Sequence, residues 1–87
     1  MLKVVGKISE LEKNEIRNLN NHKIGLEELI PILDKKSMLY KRAVADLENT
    51  SKLYTNWWKH HAEKYQWERG KREWIVLFKS NEIVIEL

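Results

Sequence analysis

Residues 40–65 read YKRAVADLENTSKLYTNWWKHHAEKY, and within them Tyr40, Val44, Leu47, Ser51, Tyr54, Trp58, His61 and Tyr65 recur at alternating steps of four and three. A 3.6-residue turn brings such positions onto one face, so the spacing predicts a single long amphipathic helix, uninterrupted by Gly or Pro. Ser37 is a suitable cap for it, after the polar connection Asp34, Lys35, Lys36. The helix is expected over about residues 37–67, stopped by Gly70 inside the string Arg69, Lys71, Arg72, whose charge suits a helix carboxyl end.

On the amino-terminal side, residues 2–8 are short and β-prone. Ser9 then opens a helix with a capping box, S-E-L-E, in which Ser9 and Glu12 satisfy each other's backbone N–H groups. Leu11, Ile16 and Leu19 supply its apolar face, and the asparagines 18, 20 and 21 followed by Gly25 predict its end near His22 or Lys23. Leu26, Leu29, Ile30 and Leu33 predict a second short helix, kinked or broken at Pro31, where a missing N–H and a clash with the Glu27 carbonyl cost about 3 kcal/mol in a regular helix. On the carboxyl side the period changes. Trp74 to Phe78 and Ile83 to Ile85, separated by Lys79-Ser80-Asn81-Glu82, predict a β-hairpin over about residues 73–87. A lone hairpin is marginal in water, so it must pack on the long helix, with residues 3–7 as a candidate third strand. The expected class is therefore α+β, mainly helical, in one small domain spanning residues 1–87.

Composition narrows the function classes. A chain of 87 residues buries about two thirds of its unfolded surface at most, which disfavours a large internal active site. Cysteine is absent, so disulfides and thiolate metal sites are excluded. Neither a secretory h-region nor 18 consecutive apolar residues occurs, and a cytoplasmic protein without a membrane role is expected. The net charge of +3 is mild, but its distribution is not: residues 52–72 hold six basic and two acidic residues interleaved with two histidines, three tryptophans and two tyrosines. This basic aromatic segment is the chemical centre of the chain.

Its aromatics have two readings. Trp58, Trp67 and Trp74 suit a core between helix and hairpin, with Trp57, about 100° from Trp58, widening it. Alternatively, at least one is an exposed anchor for a partner, a role in which Trp, Tyr and Arg are over-represented. The candidate partner-binding residues are Tyr54, Trp57, Trp58, Lys59, His61, Lys64, Arg69 and Arg72. His60 and His61 diverge on a helix and cannot chelate one metal as an i, i+4 pair can. No base, nucleophile and orienting carboxylate form a legible set, so no catalytic residue, metal or cofactor is expected. Binding of nucleic acid by Lys52, Lys59, Lys64, Arg69, Lys71 and Arg72 with a stacking Trp57 or Tyr54 is a second partner class, although Glu48, Glu63, Glu68 and Glu73 intervene. A membrane surface fits poorly, because both charge signs surround a stripe broken by Ser51. Self-pairing of the helix into a homodimer is a further option, disfavoured by Tyr and Trp where coiled coils use aliphatic residues.

Four segments together resemble one small bacterial family: VVGKISELEKNEI (residues 4–16), GLEEL (25–29), NWWK (56–59) and EKYQW (63–67). The family is the accessory proteins of CXXX-repeat peptide modification systems, which accompany radical-type maturation enzymes. The most specific element is the Trp pair followed seven residues later by Y-x-W. The hairpin matches only at a W-x-I core, and Pro31 has no counterpart. The resemblance implies a non-catalytic partner of a peptide-modifying machine and assigns no functional residues. Three expectations follow for function: a protein- or peptide-binding adaptor that adds a substrate strand to an open hairpin edge or offers Tyr54, Trp57 and Lys59 to a groove; a nucleic-acid-binding or regulatory module using the face 52–72; and a phage-type protein inhibitor.

Overall fold

The computed structural model describes residues 1–87. The elements are strand β1 (Leu2–Lys7), helix α1 (Glu10–Leu29), a 3-10 turn (Ile30–Ile32), helix α2 (Met38–Tyr65), and strands β2 (Ile75–Leu77) and β3 (Glu82–Glu86). The α+β, mainly helical class expected from periodicity is observed, with the amino-terminal strand joined to the hairpin. Neither helix is long and apolar enough to cross a membrane.

Both predicted helix starts form by local chemistry. Ser9 donates its N–H to Glu12 Oε1 at 2.9 Å, and its hydroxyl accepts from the Glu12 N–H at 3.1 Å. The Ser37 hydroxyl accepts from the Tyr40 N–H at 3.1 Å and donates to the Asp34 carbonyl at 2.7 Å. Helix ends differ from expectation. Instead of two short amino-terminal helices, α1 runs unbroken through Gly25 to Leu29. The glycine's cost of about 1 kcal/mol is outweighed by an apolar seam that continues past it from Ile16 to Leu26. Pro31 falls in the first turn of the 3-10 segment, where no N–H is required of it. Helix α2 ends at Tyr65 rather than near residue 67, because Gln66 takes a left-handed conformation (φ 53) and the Trp67 N–H reaches back to the Ala62 carbonyl at 3.3 Å. This is a Schellman closure without glycine.

The chain packs as two compact units, Ile16–Trp58 and Met1–Glu15 with Lys59–Leu87. In the first, an α-helical hairpin buries Ile16 and Leu26 of α1 and Ala43, Thr50 and Trp57 of α2. The seam keeps the predicted four-three rhythm through Leu47 and Tyr54 but substitutes Ala43, Thr50 and Trp57 for Val44, Ser51 and Trp58. Burying Thr50 is tolerable because its hydroxyl donates to Asp46 Oδ1 at 3.2 Å. The other oxygen of Asp46 lies 3.0 Å from His22 Nε2, and the Lys23 ammonium sits 5.2 Å from the Tyr54 ring centre.

In the second unit the strand order is β1-β3-β2, antiparallel throughout. β3 is therefore central and supplies the fully buried Ile83, Val84 and Ile85. The register pairs Lys3 with Ile85 and Gly6 with Ile83, with a bulge between Val4 and Gly6. On this inner face lies Trp67, so close over Gly6 that any Cβ there would overlap the indole. Gly70 is pressed on the backbone of Glu86, and a Cβ at residue 70 would sit 2.8 Å from Ile85 Cβ. The glycine expected to stop the helix instead lets the following loop lie against β3. Because the clash would involve the main chain of the central strand, Gly70→Ala is expected to destabilise the protein by about 1–3 kcal/mol, read as a lower midpoint in urea denaturation with an unchanged slope.

Candidate interaction surface

The eight candidate partner residues fall in both units. In the helical hairpin, Trp57 is only 8% exposed, so of the two readings of the aromatics its indole follows the core one and is not an accessible anchor. Trp58 is half-buried beside it, the rings meeting edge to face at 5.0 Å, and Tyr54 is edge-on to Trp58 at 6.4 Å. In the sheet-containing unit, Lys59, Lys64, Arg69 and Arg72 are exposed. His61 is 9% exposed and lies against Glu12. Of the eight, then, the cations remain available to a partner, whereas Trp57 and His61 are interior.

Glu12, which sequence reasoning assigned only to capping, is the polar centre of that unit. Its buried carboxylate accepts from the Ser9 N–H, from the Tyr65 hydroxyl at 2.8 Å to Oε2 and 3.1 Å to Oε1, and lies 3.2 Å from His61 Nε2. Burial alone would raise its pKa. The Ser9 N–H, the Tyr65 and Ser9 hydroxyls and the His61 charge outweigh burial and hold the carboxyl below its ordinary value of 4.5. Tyr65 in turn stacks on Trp67 at 5.5 Å and 18°, and Trp67 meets Trp74 edge-on at 6.3 Å. This chain of contacts explains why Trp67 and Tyr65 stand two apart across a helix end.

The loop from Gln66 to Trp74 is pinned at several points. The Trp74 Nε1–H donates to the Glu68 carbonyl at 2.9 Å, the Lys71 N–H to the Glu86 carbonyl at 3.0 Å, and Arg72 Nε lies 3.3 Å from Glu86 Oε2. The Arg69 guanidinium stands over the Trp74 ring at 5.6 Å. Residues 69–74 line an open cleft of about 330 Å³ with three cations, one carboxylate and an indole.

The outer face of the sheet was not foreseen. Register places Val4, Val84 and Ile75 in one row across it, with Leu2 opposite Glu86 and Leu77 opposite Glu82. Val84 is fully buried, but Leu2, Val4, Ile75 and Leu77 are 56, 49, 43 and 37% exposed. An antiparallel sheet with one solvated face ordinarily alternates apolar and polar residues; here the edge strands carry apolar residues on both faces, and the central strand places Glu82 and Glu86 on the outer one. The signal was present in Ile75-Val76-Leu77, which is apolar at both strand parities. The expected open hairpin edge is also relocated: β3 is paired on both sides, leaving the outer edges of β1 and β2. No group of three or more His, Cys, Asp or Glu side chains is placed to hold a metal ion. In comparisons with protein-family models, curated proteins and solved structures, nothing matches the chain.

The Glu12 network carries a pH dependence whose sign is fixed. A carboxyl held lower in the folded state contributes stability that is complete above 4.5 and is lost as pH falls through the depressed folded value. Glu12→Gln, which keeps the capping geometry but not the charge, should therefore be less stable than the parent at pH 7 by about 1–3 kcal/mol, with the difference shrinking as pH falls and Glu12 of the parent is protonated. Chemical denaturation series at pH 7 and pH 3 measure both effects.

Proposed function

We propose that this protein is a non-catalytic protein- or peptide-binding adaptor whose partner docks on the outer face of its sheet. The observation that carries the reading is the set of exposed apolar side chains on the two edge strands, Leu2 and Val4 on β1 and Ile75 and Leu77 on β2, of a three-stranded sheet whose opposite face already forms the core. Exposed large apolar side chains grouped on one face of a small protein suit an interaction site. The rigid support behind it, from Trp67 over Gly6 to Gly70 against Glu86, lowers the ordering cost of binding. The resemblance to accessory proteins of CXXX-repeat peptide modification systems supplies a setting, in which the partner is a maturation enzyme or its peptide substrate. Ile75→Glu places a charge on this face from edge strand β2, at an exposed position opposite Val84. It is expected to reduce recovery of the partner at least tenfold in affinity capture from the native cell, while Lys59→Ala is expected to leave recovery unchanged. The reverse pattern would move the site to the basic helix face.

A second reading rests on the cationic cleft of residues 69–74, where Arg69, Lys71 and Arg72 flank Trp74. Three cations beside an indole suit the phosphates and a base of single-stranded nucleic acid. Phosphate-dominated binding weakens steeply with salt, so fluorescence anisotropy with a labelled oligonucleotide at 50 and 200 mM salt separates the two readings. Under the adaptor reading, no salt-sensitive complex forms at micromolar protein.

A further inference from the structure

Hydrogen-bond direction along the sheet distinguishes its two edges. Successive residues of a strand direct their N–H and C=O groups to alternate sides. The Leu87 N–H donates to the Met1 carbonyl at 2.9 Å and Lys3 lies two residues on, opposite Ile85, so Met1 and Lys3 direct their groups to β3. Leu2 and Val4, between and beyond them, direct theirs to the open side. On the other edge the Glu86 carbonyl already accepts from Lys71, and three-residue β2 turns Ile75 and Leu77 toward β3 and only Val76 outward. The β1 edge thus presents two N–H and C=O pairs where the β2 edge presents one.

We propose that this edge of β1 accepts an extended segment of another polypeptide as a fourth strand, with β-branched or other apolar residues at alternate positions. The inference rests on the adaptor reading above and names its ligand. Leu2 and Val4, which direct their backbone groups outward, also carry the exposed side chains of the outer face. An added strand therefore gains backbone hydrogen bonds and extends the row Ile75, Val84, Val4 by one more side chain in a single step. Open edges are commonly guarded by lysine. The guard here is disarmed, since the Lys3 ammonium is drawn to the inner face and held 3.0 Å from Glu68.

A second copy of the chain is a poor occupant. Antiparallel pairing of β1 with its own copy about Lys3 is confined to Leu2, Lys3 and Val4 of each chain, because the bulge between Val4 and Gly6 interrupts both strands, one at each end of the pair. Shifting the pairing to centre on Val4 runs at once into the bulge between Val4 and Gly6, where the ladder is broken. A foreign strand brings no bulge of its own, so the pairing is interrupted at one end only.

The test uses the full chain, ¹⁵N-labelled, and a synthetic nine-residue peptide of alternating Val and Thr, acetylated and amidated, with a version carrying Pro at its central Val as the control. Strand addition is expected to slow amide hydrogen exchange at Leu2 and Val4 at least tenfold at saturation, with no comparable change at Lys3 or Ile85. Val4→Pro removes an outward N–H and no bond to β3, and should weaken the peptide at least tenfold while far-UV circular dichroism is retained. If that variant does not fold, the exchange pattern of the parent and the inactivity of the Pro-containing peptide decide the question. Unchanged exchange at Leu2 and Val4 with millimolar peptide, equal affinity of folded Val4→Pro, or slowed exchange on concentrating the protein alone would each overturn the proposal, the last in favour of self-pairing. Loss of partner capture in Ile75→Glu alongside a silent β1 edge would leave docking on the sheet face standing and remove strand addition alone.

Discussion

A carboxylate removed from water must be matched by donors or it costs several kcal/mol, and Glu12 is matched by Ser9, three residues before it, and by His61 and Tyr65 from far along the chain. Satisfying it fixes where α1 starts and holds the last turn of α2. It also orients Tyr65, on which Trp67 stacks. Trp67 then occupies the space above Gly6 that any side chain would fill. The bulge in β1, the glycine within it and the indole over it are thus one arrangement, organised from a single ionised group.

The consequence for binding is a division of labour between the sheet's faces. The inner face spends Ile83, Ile85 and the aromatic stack on cohesion, while the outer face retains apolar side chains that the rest of the chain does not cover. Charged groups are kept at the margins, where Arg72 pairs with Glu86 and Lys3 with Glu68. In the proposed adaptor, this surface discriminates by shape and strand register more than by charge, in contrast to the basic loop of residues 69–74.

Features set by neighbours in sequence were legible beforehand. The capping box at Ser9 and the cap at Ser37 involve residues three apart, and the four-three rhythm of α2 required only counting. Features set by distant contacts were not. Periodicity left the helix face free to rotate by a residue, and tertiary packing chose Trp57 over Trp58 for the interior. Gln66 gave no sign of a left-handed cap, because that conformation is favoured there by closure on Ala62 rather than by residue type. Gly25 and Gly70 looked alike as helix terminators, yet one lies within a helix and the other against a strand. Of the candidate partner residues, only the exposure of the cations was legible; the apolar side chains of the outer face emerged once register had aligned Val4, Val84 and Ile75.

Placing β3 between β1 and β2 also governs the order of assembly. Lys3 and Ile85 are roughly eighty positions apart in the chain yet directly paired, so closing this ladder carries a large loop entropy. On the ribosome, the helical hairpin of residues 16–58 has its contacts within reach early, whereas β1 waits without its neighbour until the last strand has been synthesised. The segment that bears the open edge in the mature fold is therefore the one exposed longest during its making, when an unpaired apolar strand is most prone to wrong associations.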